Sequence, residues 1–443
     1  MANYSRQDII RMVEEQDVRF IRLQFTDIFG IIKNIAITPS QLEKALANEC
    51  MFDGSSIEGF ARIEESDMKL FPDLNTFVIF PWRPQQGKVA RLICDVHTTS
   101  GEPFAGDPRR VLKDVLTEAC EMGFTFNVGP ECEFFLFFND EQGKPTALSH
   151  DEGGYFDLEP IGQGEDVRRE IVLALEDLGF EIEASHHEVA PGQHEIDFRF
   201  DEALAAADNI QTFKLTVRSI ARRYGMHATF MPKPVTGICG SGMHTNMSLF
   251  QNGRNIFHDP TQHDGLSALA KSFIAGLMAH VRGLCAVTNP LVNSYKRLVP
   301  GYEAPCYIAW SNRNRSPLIR IPDSRGNATR IELRNPDPSG NPYLVLALCL
   351  AAGLDGIRRG LLPPPPTDVN IYALSPADRE ALNIGSLPGS LEEALDEMEK
   401  DPLVSRVLGP HILQKYIEAK RQEWDDYRVK VSRWELDTYL RKY

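Results

Sequence analysis

The sequence predicts an α+β protein in two unequal parts, and three observations carry that prediction. Short runs alternating apolar and polar residues crowd the first hundred positions, where only brief helices intervene. A stretch dense in Gly and Pro, GEPFAGDP at 101–108, then interrupts the pattern and marks a boundary, giving 1–106 and 107–443 as the two units. Beyond it, long helical periodicities surround a nearly unbroken apolar run, VGPECEFFLFF at 128–138.

Taken in order, residues 5–16 read as an amphipathic helix with Ile9, Ile10 and Val13 on one face and Ser5 as its cap. Val18–Phe25 and Ile31–Ile37 alternate as strands around a turn at Asp27–Gly30. A short helix is expected over Ser40–Ala47, then strands over Thr76–Trp82 and Val89–Val96. Past the boundary come a helix at Arg109–Glu121, the strand at 128–138, a helix at Glu165–Leu178 and a strand at Phe180–Ala184. Asp208–Tyr224 reads as a helix capped by Asp208, Ser241–Phe250 as a strand and Gly265–Ala286 as a helix. Arg330–Arg334 is a strand, and Asn341–Arg359 an Ala/Leu-rich helix stopped by Gly360. Pro363–Pro366 is a rigid spacer before a charged helical tail, and no internal repeat is visible.

With 42% hydrophobic and 25% charged residues, the composition is that of a globular protein. The net charge of −15 argues against nucleic acid or an anionic membrane as the main partner. The eight cysteines are scattered without a Cys-x-x-Cys pair, which fits reduced thiols in a cytosolic enzyme. The polar start, MANYSRQDIIRM, lacks the core of a signal peptide, and no apolar run approaches the ~18 residues of a bilayer span. A cytoplasmic location is expected.

The chemistry starts inside the apolar strand. With a period of two, Glu131 and Glu133 share a face, about 7 Å apart. Two carboxylates on a buried face repel each other and lose hydration, so they must be protonated, paired or holding a cation. An edge strand with two solvated acids is the commoner outcome of Glu-x-Glu, but the aromatic run that follows fits it poorly. Glu183, Glu188 and Glu195 lie in EIEASHHEVAPGQHEIDFRF, folded together by the turn at Pro191–Gly192. With His244 and Glu332 they supply enough oxygen ligands and one nitrogen for two octahedral divalent ions, which suits Mg²⁺ or Mn²⁺ rather than zinc. Each of these residues alone is more often a salt-bridged core residue; only the set makes the case. Paired ions of this kind point to phosphoryl chemistry.

Arg297, Arg315, Arg320, Arg330 and Arg334 form the complementary half. Clustered arginines are usually solvated surface charge. Here Arg330 and Arg334 share a strand face with Glu332 while the other face is apolar, which suits guanidinium forks holding phosphate or carboxylate. Neither GxxxxGK[ST] nor GxGxxG occurs, so P-loop and Rossmann binding are not indicated.

Seven motifs in order, FDGSSIEGF (52–60), GPECEFFLF (129–137), ASHHEVAPGQHEID (184–197), KPVTGICGSGMHTNMS (233–248), RLVPGYEAP (297–305), RNRSPLIRIP (313–322) and RIELRNPDPSGNPYL (330–344), resemble the glutamine synthetases over essentially the whole chain. The absence of an extra internal segment resembles the shorter bacterial class I (I-alpha) type. The resemblance implies an N-terminal β-grasp-like domain, a catalytic domain built on a curved antiparallel sheet, and ATP-dependent ligation of ammonia to glutamate through γ-glutamyl phosphate. It implies two to three Mg²⁺ or Mn²⁺ per subunit, Glu133, Glu188 and Glu195 holding one and Glu131, His244 and Glu332 another. Arg297, Arg315 and Arg334 match glutamate-binding residues, with the backbone at Gly240 beside the amino group. Arg320 and Arg330 match nucleotide-phosphate contacts, with Glu183, Phe200, Asn246 and Ser248 near the nucleotide. Glu303 matches a residue that closes the site, and Tyr155 lies near the ammonium pocket. Asp53 matches an aspartate that deprotonates ammonium from the neighbouring subunit, beside Ser56.

A homo-oligomer is implied, as a dodecamer of two hexameric rings, with glutamate, ammonium and ATP as small-molecule partners. Arg62 matches a residue of feedback inhibition, against the plainer possibility of a pair with Glu64 or Glu65. Three positions depart from the family pattern: Cys239 replaces Asn, Asn327 replaces a Lys of the longer type, and Tyr372 sits where that type is adenylylated. Two other functions compete: a γ-glutamyl-amine ligase using a larger amine, and a binder of nitrogen-control regulators through the tail WELDTYLRKY.

Overall fold

The computed structural model describes residues 3–57, 59, 67–83, 86–149, 151–158, 163–312, 314 and 316–443. The first part contains α1 (Arg6–Glu15), β1 (Val18–Thr26), β2 (Ile32–Ile37), α2 (Leu42–Leu46), β3 (Cys50–Asp53), β4 (Asp67–Ile79) and β5 (Lys88–Thr98). Its five strands run in the order β2-β1-β5-β4-β3 over a core of Ile9, Val13, Ile21, Leu23, Leu70 and Leu92. Ser5 caps α1 in a capping box with Asp8, as the sequence predicts. Strand β4 begins at Asp67 rather than Thr76, and a register shift between Asp73 and Val78 absorbs the polar stretch that hid its first half. Strand β3 is too short to show an alternation in sequence.

The larger part continues with α3 (Pro108–Glu121), β6 (Thr125–Phe138), α4 (Gln163–Asp177), β7 (Ile182–His187), β8 (Gln193–Phe198), β9 (Asp201–Glu202), α5 (Ala203–Arg223), β10 (Met226–Thr229) and β11 (Met243–Gln251). Then come β12 (Arg254–Asn255), α6 (Ala268–Thr288), α7 (Ser294–Arg297), β13 (Tyr307–Ile308), β14 (Trp310–Ser311), β15 (Ile319–Arg320), β16 (Ile331–Leu333) and α8 (Pro342–Arg359). The chain closes with α9 (Pro376–Ala381), β17 (Gly385–Ser386), α10 (Leu391–Lys400), α11 (Pro402–Arg428) and α12 (Arg433–Tyr439). Strands β14-β15-β16-β11-β6-β8-β7 form the main path of a sheet that is antiparallel except for the parallel β14–β15 pair, and α3, α5, α6 and α8 share the core beneath it. Helix α6 is long and apolar enough to cross a membrane by length and composition, but 72% of its most apolar window is buried inside the fold.

Asp208 does not cap a helix. The Ala-rich run ALAAAD carries α5 back to Ala203, and Asp208 is a buried residue within it. Its carboxylate receives Arg109 Nε at 3.0 Å and Nη2 at 2.8 Å, while Tyr343 Oη donates to it at 2.7 Å. The same guanidinium donates to Asp73 at 2.7 Å and to Asp95 at 2.8 Å in the first sheet. One buried arginine on α3 therefore ties the first sheet to helix α5 of the larger part. Removing one partner of such a network strands buried charge, so Arg109→Ala is expected to cost about 3–5 kcal/mol of stability, read as a fall in denaturant midpoint.

The turn after β1 completes the junction. Gly30 has φ 85°, and a Cβ there would lie 2.9 Å from Asn341 Cα. Asn341 caps α8 and also donates Nδ2 to the Asp27 carbonyl at 3.0 Å.

Between α6, α8 and the start of α11, His280 sits with Nδ1 2.8 Å from Asp401 and Nε2 3.0 Å from Asp355. Asp401 foremost, with Asp355, outweighs burial and holds His280 above its ordinary value. A raised histidine stabilises fully below its unfolded value of about 6.5, and that contribution is lost as pH rises through the folded value. The Tm gap between wild type and His280→Gln should therefore be widest near about pH 6 and shrink on the alkaline side; a gap that widens with pH would contradict this.

Candidate active site

Register builds the site. His244 lies directly opposite Glu131 across β11 and β6, and Glu195 opposite Glu133 across β8 and β6. His186 of β7 faces Glu195, Asp197 faces Glu131, and Glu332 of β16 faces both Asn246 and Arg320. Because side chains alternate along each strand, these pairings gather carboxylates and imidazoles on one sheet face while Cys132, Phe134 and Ile196 point into the core.

Two groups of donors result. Ligand atoms of Glu131, His244 and Glu332 lie within 4.8 Å of one another, and so do those of His186, Glu188 and Glu195. His244 Nδ1 stands 3.4 Å from Glu131 and 3.7 Å from Glu332. His186 reaches Glu195 at 3.4 Å and Glu188 at 3.5 Å. Glu133, two residues along β6 from Glu131 and opposite Glu195, has its Oε2 accepting the Gly242 N–H at 2.8 Å and the Gln193 amide at 2.7 Å. A Cβ on Gly242 would come within 2.7 Å of Arg297 Nη2 and 3.0 Å of His244 Nε2, so a side chain there would displace both groups.

The electrostatics are those of a cation cradle. Burial, with repulsion from neighbouring acids, pushes Glu133, Glu188 and Asp197 up to about 7 and holds Glu195 well above the ordinary carboxylate range. Burial works the same way on Glu131, but His244, Asn246 and Arg334 outweigh it and hold that carboxylate down at about 2. Asp197 Oδ1 is buried without a hydrogen-bond partner. A carboxylate-rich set with two imidazoles, mutual repulsion and an unsatisfied buried oxygen fits hard divalent cations.

Glu332 joins this acidic pole to a cationic one. It is 1% exposed, and its two oxygens receive Arg334 at 2.6 Å and Arg320 at 2.8 Å. Arg334 Nε is buried and unpartnered. Arg297 is buried too, donating to the carbonyls of Asn335 at 2.7 Å and Arg334 at 3.1 Å.

Two cavities meet at this face. One, of about 580 Å³, is lined by both acidic groups together with Tyr155, Cys239, Gly240, Arg297, Glu303, Arg320 and Arg334. The other, of about 380 Å³, is lined by Glu183, Phe200, Asn246, Ser248, Asn327 and Arg330. They share Glu131, Ala184 and Asp197. In the smaller one Arg330 Nε donates to Asn246 at 3.1 Å, and Asn246 passes a hydrogen bond to Glu131 at 2.8 Å.

Every sequence-predicted site residue that the structure describes lines one of these cavities except Asp53 and Ser56, which are exposed, at the end of β3 in the first sheet and just after it. Arg315 and Arg62 lie outside the described residues. Sequence reasoning missed Gln193 and Asp197 as site residues and left His186 unassigned. The signal was there: in QHEIDF, Gln193, Glu195 and Asp197 alternate with His194, Ile196 and Phe198.

A two-part fold whose larger cavity holds two carboxylate-rich donor groups beside buried arginines, and shares Glu131 and Asp197 with a second cavity, fits the class of metal-dependent, ATP-using enzymes. Residues 17–99 match the model for the beta-Grasp domain of glutamine synthetase, and residues 105–439 match that for its catalytic domain. The chain belongs to the glutamine synthetase family, the glutamate–ammonia ligases. It is 62% identical over 443 residues to glutamine synthetase of Clostridium saccharobutylicum, covering 100% of both chains. It is 60% identical over 441 residues to that of Staphylococcus aureus, covering 99% of each. Among solved structures, a GmaS/ADP complex superposes with a TM-score of 0.89 at 34% identity, covering 98% of this chain and 99% of the other. The Plasmodium falciparum glutamine synthetase superposes with a TM-score of 0.87 at 26% identity, covering 99% of both.

Proposed function

We propose that this enzyme moves the γ-phosphoryl group of ATP onto the side-chain carboxylate of glutamate and lets ammonia displace phosphate from the resulting γ-glutamyl phosphate. The observation that carries this reading is the junction of the two cavities at Glu131 and Asp197, between the acidic donor groups and the arginines. ATP occupies the smaller cavity, its base near Phe200 and Glu183, its ribose and phosphates near Asn246, Ser248, Arg330 and Arg320. Glutamate occupies the larger one, its amino group beside the Gly240 backbone and its carboxylates near Arg297, Arg315 and Arg334. Two or three Mg²⁺ or Mn²⁺ ions, held by Glu131, His244 and Glu332 and by Glu133, Glu188 and Glu195, would neutralise the charge on the transferring phosphoryl group. His186 orients Glu188 and Glu195 between them.

Nucleophilic attack then needs neutral ammonia. Ammonium is mostly protonated at neutral pH, so an acidic pocket near Tyr155 that includes Asp53 of a neighbouring subunit both draws the cation in and takes its proton at the carboxylate. This requires a ring in which the first unit, 1–106, of one subunit meets the second, 107–443, of the next; we assign a dodecamer of two hexameric rings. Glu303 closes the site against water. We further assign glutamine feedback to Arg62, a regulator-binding role to the tail, and a cytoplasmic setting. Arg62→Ala should keep turnover and lose inhibition by glutamine; lost turnover with retained inhibition would reverse that assignment.

Phosphate release with ATP, Mg²⁺ and glutamate tests the reaction directly. It should depend on ammonium and be matched by glutamine. Equal release with a bulkier amine and none with ammonium would redirect the assignment to a γ-glutamyl-amine ligase.

A further inference from the structure

The acyl phosphate proposed above is destroyed by water for as long as ammonia is absent, so the loop carrying Glu303 has to stay in place through that interval. Its backbone is not relaxed. Glu303 has φ 58° and Gly301 φ 96°, and a left-handed non-glycine residue persists only where its surroundings over-determine it. Tyr302, Glu303 and Ala304 all line the larger cavity.

Both flanks of the loop are held. On one side the Lys233 ammonium lies 3.7 Å from the centroid of the Tyr302 ring and also donates to the Ile238 carbonyl. On the other, Tyr372 Oη donates to the Ala304 carbonyl at 2.6 Å. Tyr372 comes from the segment after the proline run, and that segment is sewn along the strand region that follows the loop. Thr367 N–H donates to the Trp310 carbonyl at 2.8 Å, and Trp310 Nε1 returns a bond to the Pro364 carbonyl at 2.7 Å. Ser311 Oγ donates to Asp368 at 2.8 Å, and Asn314 Nδ2 to the Val369 carbonyl at 2.7 Å. Strand β17 then pairs with β13, while Ile371 is fully buried beside Tyr372. The brace is thus anchored independently of the loop it touches. Burial foremost, with Cys306 nearby, pushes the Tyr372 phenol up to about 12, so it keeps its proton wherever the enzyme works.

We propose that Tyr372 is a positioning residue for the Glu303 loop, its hydroxyl fixing the Ala304 carbonyl so that the loop shields the acyl phosphate from water until ammonia arrives. The inference rests on the proposed reaction and deepens it. Ammonia attack on the acyl carbon yields glutamine and phosphate; water attack yields glutamate and phosphate. The ratio of phosphate released to glutamine formed therefore reports how well the loop excludes water, and a role confined to folding would not move it.

The test compares wild type, Tyr372→Phe and Tyr416→Phe at limiting and saturating ammonium, with Tm measured on each. Tyr416 Oη makes the same kind of bond, to the Ala286 carbonyl at 2.8 Å, in the core away from both cavities. Wild type should give a ratio near one. Tyr372→Phe should raise the hydrolytic share about five-fold at limiting ammonium, the factor that loss of one net hydrogen bond produces, and recover as ammonium saturates. Tyr416→Phe should stay near one even where its Tm falls. A hydrolytic share in Tyr372→Phe no larger than that of wild type at every ammonium concentration, or an equal rise in Tyr416→Phe, would overturn the assignment of Tyr372. A wild-type protein that forms no glutamine would instead overturn the reaction, and the loop's role with it.

Discussion

His244→Ala is expected to lower kcat by at least about two orders of magnitude while leaving Tm nearly unchanged, because a preorganised electrostatic contact to the transferring group is worth ~3 kcal/mol or more. Among the described residues its acidic neighbours are Glu131 and Glu332, at 3.4 and 3.7 Å, both longer than a strong hydrogen bond, and Glu131 keeps Asn246 as a donor when the imidazole is removed. Glu332 behaves differently. It accepts from both Arg320 and Arg334, so Glu332→Ala deprives one buried and one half-buried guanidinium of this shared carboxylate and should lose stability as well as turnover. Glu332→Gln keeps an oxygen for one arginine and separates the two losses. Bound divalent metal should fall in each variant. Near-normal turnover with unchanged metal content in His244→Ala would remove the two-metal account.

The second large effect concerns the assembly. Asp53 stands at the end of β3, exposed, with its carboxylate accepting the Ser55 N–H at 2.8 Å, and it lines neither cavity of its own chain. If it serves a neighbour's cavity, Asp53→Ala and His244→Ala homo-oligomers should both be nearly inactive. A mixed ring then contains junctions where an intact first unit meets an intact metal site. Random 1:1 assembly makes about one quarter of the sites whole, since each half is intact with a probability of about one half. Co-expression should restore activity towards that fraction of wild type. Verified mixed rings that recover nothing would place Asp53 in its own subunit's site.

What was legible in the sequence follows from which signals are local. Glu131 and Glu133 announced themselves because an acid pair inside an aromatic strand breaks the expected pattern within one turn of the pleat. The cap at Ser5 and the stop at Gly360 were legible for the same reason, since capping chemistry spans only a few residues. The roles of Asp208 and Arg109 were hidden, because an acid near a helix start reads as a cap. Only the folded chain brings Asp73, Asp95 and Asp208 to one guanidinium. The two donor groups were hidden in part: register brings His186 alongside Glu188 and Glu195, and no sequence pattern sets register across a sheet of this size. The brace through Tyr372 was invisible, since it joins side chain to backbone across 68 residues.

The central claim is that the glutamate carboxylate itself attacks ATP. It is tested most directly with glutamate labelled with oxygen-18 in the side-chain carboxylate, followed through turnover with ATP, Mg²⁺ and ammonium. The account predicts one labelled oxygen in each phosphate released, because ammonia displaces phosphate together with the oxygen that attacked. Phosphate that carries only oxygen from ATP and solvent, with glutamine still formed, would contradict it.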